Sequence, residues 1–148
     1  DLMLSQTFRY AGYDGRSNDI GTGVSPGFMP LISDNWNTVF FGDSAWNGIG
    51  TIPDATRAKM ESIVAQVHGE GKILRFWNLP LDIPNVWEPL YDADVDLINT
   101  DDLAGLSEFI QAQQTVPEPG SVLGFLGLGL LGLASKLKQK VSSKQKTR

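Results

Sequence analysis

The sequence contains no cysteine and a single histidine, His68. The absence of cysteine excludes disulfide bonds, thiolate metal sites and a cysteine nucleophile. A single histidine excludes any mechanism in which two histidines of this chain act as acid and base. His68 lies just before Gly69, at the expected end of a helix, where a surface histidine is a better interpretation than a catalytic one.

Positive charge is scarce before the last part of the chain. All 17 acidic residues lie at or before Glu118. Only six of the 12 Lys and Arg lie within residues 1–135, so this part of the chain has a net charge of −11 (six minus 17). The other six basic residues give the tail a charge of +6. An acidic body without a basic patch makes nucleic acid an unsuitable partner. The asymmetry predicts a separate partner for the tail, usually a membrane or anionic lipid.

An apolar run long enough to span a bilayer comfortably is also absent. The most apolar segment, 122–134, has 13 residues, whereas a spanning helix needs about 20. Lys136, Lys138 and Lys140 follow it and can snorkel, which lengthens the usable span and keeps the C-terminal end cytoplasmic. We therefore predict a short C-terminal transmembrane helix, with a buried helix of a soluble domain as the alternative.

The residues around this segment form a recognisable signal. Pro117, Glu118 and Pro119 precede the Gly- and Leu-rich run, and the lysine cluster follows it. This three-part order resembles the PEP-CTERM sorting domain of bacteria, over residues 115–140, with a basic tail at 141–148. The resemblance implies export, anchoring in the inner membrane through the C-terminal helix, and recognition by an exosortase at the Pro-Glu-Pro motif. It also implies release to the cell surface or medium if the tail is processed.

Sorted proteins of this kind also have an N-terminal signal peptide. The chain begins with Asp1, and the apolar run at residues 2–4 is too short for the core of such a peptide. We therefore expect the chain to be a fragment of a longer exported protein.

Residues 1–114 alternate strand and helix patterns. Apolar runs at 29–33, 72–77 and 95–99 predict strands, and helical spacing predicts helices at 54–70, 85–92 and 103–113. Residues 8–13 are predicted as a further strand and 34–50 as a long loop. Short connections between strand and helix imply parallel strands. Three such units are too few to close a sheet, so we expect the C-terminal portion of a (β/α)₈ TIM barrel, with a flavodoxin-like sheet as the alternative.

Parallel α/β folds bind ligands at the C-terminal ends of their strands. The candidates for lining a substrate site there are Arg16, Asp34, Arg75, Trp77, Asn99 and Asp101. An arginine inside an apolar strand needs a partner, so we expect Arg75 either to bind a phosphate or to pair with Asp34 or Asp96. Trp77 could stack on a substrate or pack within the protein.

The carboxylates near these strand ends could serve more than one purpose. Asp101 and Asp102 could ligate a metal or act as acid and base, or one of them could cap the following helix. Asp14 and Arg16 could face a substrate or form a self-paired turn. The residues do not indicate which metal, if any, would bind.

A second resemblance covers residues 8–112. Its most specific pieces are Arg75-Phe76-Trp77, the residues Pro80, Asp82, Pro84 and Trp87, and the segment 95–103. These are similar to the C-terminal part of the phosphatidylinositol-phospholipase-C-like phosphodiesterases, nearest to glycerophosphodiester phosphodiesterases and the altered inheritance of mitochondria protein 6 group.

This second resemblance implies a TIM barrel that cleaves phosphodiesters. It also implies two catalytic histidines and a divalent cation, Mg²⁺ or Ca²⁺, held by carboxylates of the early strands. Both sets are expected outside this chain, which therefore contains no catalytic residue of its own. Trp77 and the Asp101 region carry over as substrate-lining positions.

Two functions from different classes follow. The first is the C-terminal fragment of an exported phosphoric diester hydrolase acting on glycerophosphodiester or phospholipid-like substrates, inactive by itself. The second is a non-enzymatic binding protein of the cell surface or extracellular matrix. A weaker third hypothesis is a sugar-acting α/β barrel with Asp34 and Asp101 as its carboxylate pair.

Overall fold

The computed structural model describes residues 5–114. These residues form a mixed α/β fold with one parallel sheet of four strands. The strands are β1 (Asp14–Gly15), β2 (Leu31–Asn35), β3 (Ile73–Trp77) and β4 (Leu97–Ile98). The helices are α1 (Trp36–Val39), α2 (Asp54–Gly69), α3 (Pro84–Asp92) and α4 (Leu103–Gln114), with 3₁₀ turns at Ser17–Asp19 and Gly42–Ser44. The sheet belongs to a compact unit that ends at Ser107, and α4 continues into a second unit from Glu108.

The strands follow one another across the sheet in chain order, β1-β2-β3-β4, and every neighbouring pair is parallel. In the register of β2 and β3, Ser33 lies opposite Arg75 and Asn35 opposite Trp77. Sequential order is the order of consecutive βα units in a barrel, and it differs from the flavodoxin-like order 2-1-3-4-5. Within residues 5–114 the sheet is open, with β1 and β4 at its edges, so the barrel itself stays a prediction.

One face of the sheet is packed against the helices. Leu74 and Phe76 of β3 are buried on this face, whereas Ile73, Arg75 and Trp77 point to the other face and are partly or largely exposed. This is the alternation that the sequence predicts. The core also contains apolar residues of β2, α2 and α3, among them Ile32, Met60, Val64, Val67, Val86 and Leu90.

Aromatic rings fill the C-terminal side of this core. The ring of Trp36 in α1 contacts the ring of Phe40 at a tilt of 32°, with a centroid distance of 4.1 Å, and it meets Phe76 edge-on at 5.9 Å. Trp46 packs against Trp36 at 6.4 Å. These contacts tie the residues after β2 to β3.

Two predicted elements differ from the observed ones. Residues 8–13 were expected to form a strand, but they are irregular, because Phe8 and Tyr10 are exposed and supply no buried face. The expected loop at 34–50 contains α1 and the turn Gly42–Ser44. The helix α1 forms because the side chain of Asn35 accepts a hydrogen bond from the N–H of Asn37 at 2.9 Å, which caps its first turn.

Strand β4 is shorter than the predicted 95–99. The N–H of Val95 still donates to the carbonyl of Leu90 in α3, and Asp94 has a left-handed φ of 63°. The carboxylate of Asp96 accepts the N–H of Leu74 at 2.7 Å, in the place of a backbone acceptor. The chain therefore joins the sheet ladder only at Leu97.

An ion pair between Lys72 and Glu70 lies at the N-terminal end of β3. Lys72 is buried and its ammonium binds Glu70, which also accepts the N–H of Gly21 at 2.6 Å. The hydrogen bond from Lys72, the N–H of Gly21 and the charge of Lys72 hold the pKa of Glu70 below its ordinary value, although burial opposes this. This carboxylate joins the loop before β2 to the turn after α2.

Several sequence predictions lie outside the described residues. They are the transmembrane helix, the sorting signal Pro117, Glu118 and Pro119, and the lysines Lys136, Lys138 and Lys140. The predicted domain limits at 115–140 and 141–148 lie outside them as well. Within residues 5–114, no helix combines the length and the apolar character needed to cross a bilayer.

We expect Gly48→Ala to destabilise the protein more than Gly50→Ala does. Both glycines have a left-handed φ, 82° and 69°, so both substitutions cost about 1 kcal/mol of backbone strain. At position 48 a Cβ would also lie 2.8 Å from Cγ2 of Val86 and 3.1 Å from Cδ1 of Leu81, whereas position 50 is open. The difference in the free energy of unfolding should be about 1–3 kcal/mol. Urea unfolding followed by tryptophan fluorescence measures it, and equal losses would contradict this packing.

Candidate functional site

A cleft of about 450 Å³ lies at the C-terminal ends of the strands. We call it the arginine cleft; its lining residues are Asp14, Arg16, Ser33, Arg75, Trp77, Asn78, Asn99 and Asp101. Five of the six predicted substrate-lining residues are among them, and Asp34 is the exception. The strand-end argument therefore located these five side chains in one place.

Ser33 organises the floor of the arginine cleft. It is only 1% exposed, and it accepts hydrogen bonds from two guanidinium groups. Its carbonyl binds Nη1 of Arg16 at 3.0 Å, and its hydroxyl lies 3.3 Å from Nη1 of Arg75. The sequence prediction missed Ser33, although a small polar residue inside an otherwise apolar strand could have signalled it.

Arg16 is held by the turn that contains it. Its Nη1 also donates to the carbonyl of Gly15 at 3.0 Å and forms an ion pair with Asp14 at 2.9 Å. The hydrogen bond and charge of Asp14 raise the pKa of Arg16 further above its ordinary value. The predicted self-paired turn is therefore present, and it keeps a permanent cation at the edge of the cleft.

Arg75 does not pair with either of the carboxylates considered for it. Its Nη2 donates to the side-chain oxygen of Asn99. Asp96 instead binds Nε2 of His68 at 2.9 Å, and Asp34 binds Ser17, so the expectation of an Arg75–Asp pair is wrong. Neutral oxygens hold the guanidinium without neutralising it. Among the described residues Arg75 forms no ion pair, and its charge stays available to a ligand.

Trp77 and Asn78 form the wall at the end of β3. Trp77 is 36% exposed, while the other three tryptophans are buried. Asn78 has a left-handed φ of 56°, and its amide donates to the side-chain oxygen of Asn35 at 3.2 Å. Asparagine is one of the few non-glycine residues that adopt this conformation readily, so it suits the turn after β3. The wall therefore offers an aromatic surface next to the two arginines.

Asp101 and Asp102, the two neighbouring aspartates after β4, have different roles. Asp102 caps α4, since its Oδ1 accepts the N–H of Gly105 at 2.9 Å. Asp101 lines the arginine cleft, and its N–H donates to Asp82 at 3.0 Å. The capping role thus belongs to Asp102, and Asp101 remains the candidate for contact with a ligand.

Asp34 is buried, at 7% exposure, and does not line the cleft. Its Oδ2 accepts the hydroxyl of Ser17 at 2.6 Å and its N–H at 2.9 Å, and its Oδ1 accepts the N–H of Asn35 at 2.7 Å. Burial alone would raise the pKa of Asp34, but these hydrogen bonds and the charge of Arg16 outweigh it and lower the pKa. Asp34 therefore fixes the turn that contains Arg16, rather than contacting a substrate.

The arrangement suits an anion better than a metal ion. Within residues 5–114 no three His, Asp or Glu side chains come together as a metal site, whereas the guanidinium group of Arg75 has no carboxylate partner there and can bind an anion. The divalent cation stays an expectation of the family resemblance, and the cleft residues do not fit it. His68, the one histidine, lies at the opposite end of the sheet with Asp96.

We expect Asp34→Asn to destabilise the protein by about 1–3 kcal/mol at pH 7, because the half-buried hydroxyl and N–H of Ser17 lose a charged acceptor. The pKa of Asp34 is lowered by folding, so its stabilisation is present above the ordinary carboxyl pKa near 4 and disappears as the pH falls through the lower folded pKa. Urea unfolding of both proteins between pH 7 and pH 3 measures this. Asp43→Asn, at an exposed aspartate, is the control and should change little. A constant difference across this range would contradict the role of Asp34.

Comparison with known proteins supports the predicted sorting signal in the C-terminal tail. The model of the family described as PEP-CTERM protein-sorting motif matches residues 115–139. No curated protein and no solved structure matches the chain. The motif implies an exported protein that associates with the membrane and is processed by an exosortase. Residues 115–139 of this chain are thus a PEP-CTERM sorting motif, as their proline, glycine and lysine pattern predicts.

Proposed function

We propose that this exported chain is the ligand-binding C-terminal part of a phosphoric diester hydrolase, and that the arginine cleft binds the phosphodiester group. The observation that carries the proposal is the convergence of Arg16 and Arg75 on Ser33. Guanidinium groups bind phosphate oxygens with two parallel hydrogen bonds, and two of them can serve both non-bridging oxygens.

The charges of the cleft favour a monoanion. Arg16 and Arg75 are positive, while Asp14 and Asp101 are negative and line the same space. Because the two signs balance, the second charge of a phosphate monoester would gain little net attraction and would add to the cost of desolvation, which is smaller for a diester with one charge. This balance supports a phosphodiester over a phosphomonoester.

The sheet supports the barrel part of the proposal. Its strands follow chain order, and the arginines project from the face that α2 and α3 do not cover. In a TIM barrel that face is the interior, and polar residues near the strand ends contribute to the active site. The resemblance of residues 75–103 to phosphodiesterases points to the same architecture.

The second candidate, a binding protein without catalysis, is favoured by the position of His68. Its Nε2 lies 2.9 Å from Asp96, at the N-terminal end of the sheet. Within the part of the chain that the structure describes, Asp101 is the carboxylate of the cleft that has no arginine partner. By itself the chain is therefore equipped to hold an anion and not to transfer the protons that hydrolysis requires.

Binding of anions can be measured through the fluorescence of Trp77. Because the other tryptophans are buried, collisional quenching reports on the arginine cleft. Relative to their quenching of free tryptophan, iodide should quench the fluorescence at least about twofold more efficiently than caesium, because Arg75 forms no ion pair among the described residues and attracts the anion. Dimethyl phosphate should protect against iodide, and Arg75→Gln should weaken this protection by about tenfold or more.

Arg57→Gln, in helix α2 and away from the cleft, is the matched control and should keep the protection. Trp77→Phe should remove the difference between iodide and caesium. Equal quenching by the two ions, or equal effects of the two arginine variants, would refute the anion site.

We expect the 148-residue chain to hydrolyse no generic phosphodiester, because its one histidine lies away from the cleft. Release of nitrophenol from bis(4-nitrophenyl) phosphate, with Mg²⁺ or Ca²⁺ added, is the measurement. Clear, metal-dependent turnover would show that the inactive-fragment proposal is wrong.

A further inference from the structure

A second groove adjoins the arginine cleft, and we propose that it binds a sugar ring carried by the phosphodiester. This inference rests on the proposed function, because it extends the ligand of the same site. The proposed ligand class is a glycosyl phosphodiester.

The second groove has a volume of about 640 Å³ and is lined by Asn37, Phe40, Ala45, Trp46, Asn47 and Pro80. We call it the asparagine groove. Its volume is within the range of small-molecule sites, roughly 300–1,000 Å³. None of the described residues that line it is charged. The two amides offer donors and acceptors together, which is the combination that neutral hydroxyl groups need.

The aromatic residues of the groove favour a sugar over an acyl chain. Phe40 is 2% exposed and Trp46 is 9% exposed, so they offer ring edges rather than broad faces. An acyl chain would gain little buried area there and would leave the amides of Asn37 and Asn47 without water. Each unpaired buried polar group costs about 1–3 kcal/mol. A sugar ring satisfies the amides with its hydroxyls and places its C–H groups on the ring edges.

The groove is fixed before a ligand binds. The indole N–H of Trp46 donates to the carbonyl of Ile49 at 3.1 Å, and that of Trp36 donates to the carbonyl of Trp46 at 3.2 Å. Oδ1 of Asn47 accepts the N–H of Ile49 at 3.1 Å, which leaves its amide nitrogen as the ligand donor. Side chains that are already ordered lose little conformational entropy on binding.

One amide contact joins the asparagine groove to the arginine cleft. The side-chain oxygen of Asn35 accepts from Asn78, which lines the cleft, and from the N–H of Asn37, which lines the groove. Pro80 is two residues beyond Asn78, so the two spaces are separated by at most about 7 Å of chain. A phosphate held by the arginines can therefore carry its substituent across this contact into the groove.

The test compares two diesters with the same charge, dimethyl phosphate and the methyl diester of glucose 1-phosphate. The affinity of the full chain for each is measured by how well the diester protects the fluorescence of Trp77 from quenching by iodide. We expect the glucosyl diester to bind about tenfold more tightly, as two or three added hydrogen bonds allow. Asn37→Ala should reduce this preference to below about threefold, without changing the affinity for dimethyl phosphate.

Two further variants separate binding from folding. Ala45→Leu fills the groove from an exposed position and should remove the preference while the affinity for dimethyl phosphate stays constant. Asn18→Ala, at an exposed asparagine that lines neither space, should leave the preference unchanged. Retention of the preference in both Asn37→Ala and Ala45→Leu would overturn the groove assignment.

The outcomes also distinguish the two proposals. Equal affinity for both diesters would overturn the sugar site and leave the arginine cleft intact. Failure of both diesters to protect Trp77 would overturn the cleft and the groove together.

Discussion

The pairing of β2 with β3 in a single register is the constraint on which the site depends. That register places Ser33 beside Arg75 and brings Arg16 onto the carbonyl of the same serine. A slip by one residue would turn Arg75 toward the helices, where Leu74 and Phe76 are packed. The apolar face of the sheet therefore determines where the cations lie, because burial of that face permits only one register.

The two ends of the sheet use charged residues for different purposes. At the N-terminal end, Lys72 with Glu70 and His68 with Asp96 form pairs that join neighbouring elements. At the C-terminal end, Arg75 is held by neutral oxygens and keeps its charge available. A buried pair satisfies its own charges, whereas a cation supported by neutral groups attracts an anion. Arg16 combines the two uses, because it is paired with Asp14 and also lines the cleft.

The sequence predicted the parallel α/β order and most of the cleft, because strand alternation and strand ends are local patterns. It placed Arg75 and Trp77 on one face and Asn99 at a neighbouring strand end. It could not identify the partner of Arg75, since Asn99 and Asp96 follow it at similar separations in sequence and the choice depends on which side of the sheet each one faces. The asparagine groove was also missed, because α1 and its neighbouring loop meet Pro80 only through tertiary packing.

Gly48 shows how closely the loop after α1 approaches helix α3. Its left-handed backbone and its close contact with Val86 leave no room for a side chain, and Asn85 binds its carbonyl at 2.7 Å. A side chain at this position would therefore require Val86 or Leu81 to move. Gly50 has open space around it and can vary to asparagine, which tolerates a positive φ. The loop after α1 can therefore accept sequence change at Gly50 more readily than at Gly48.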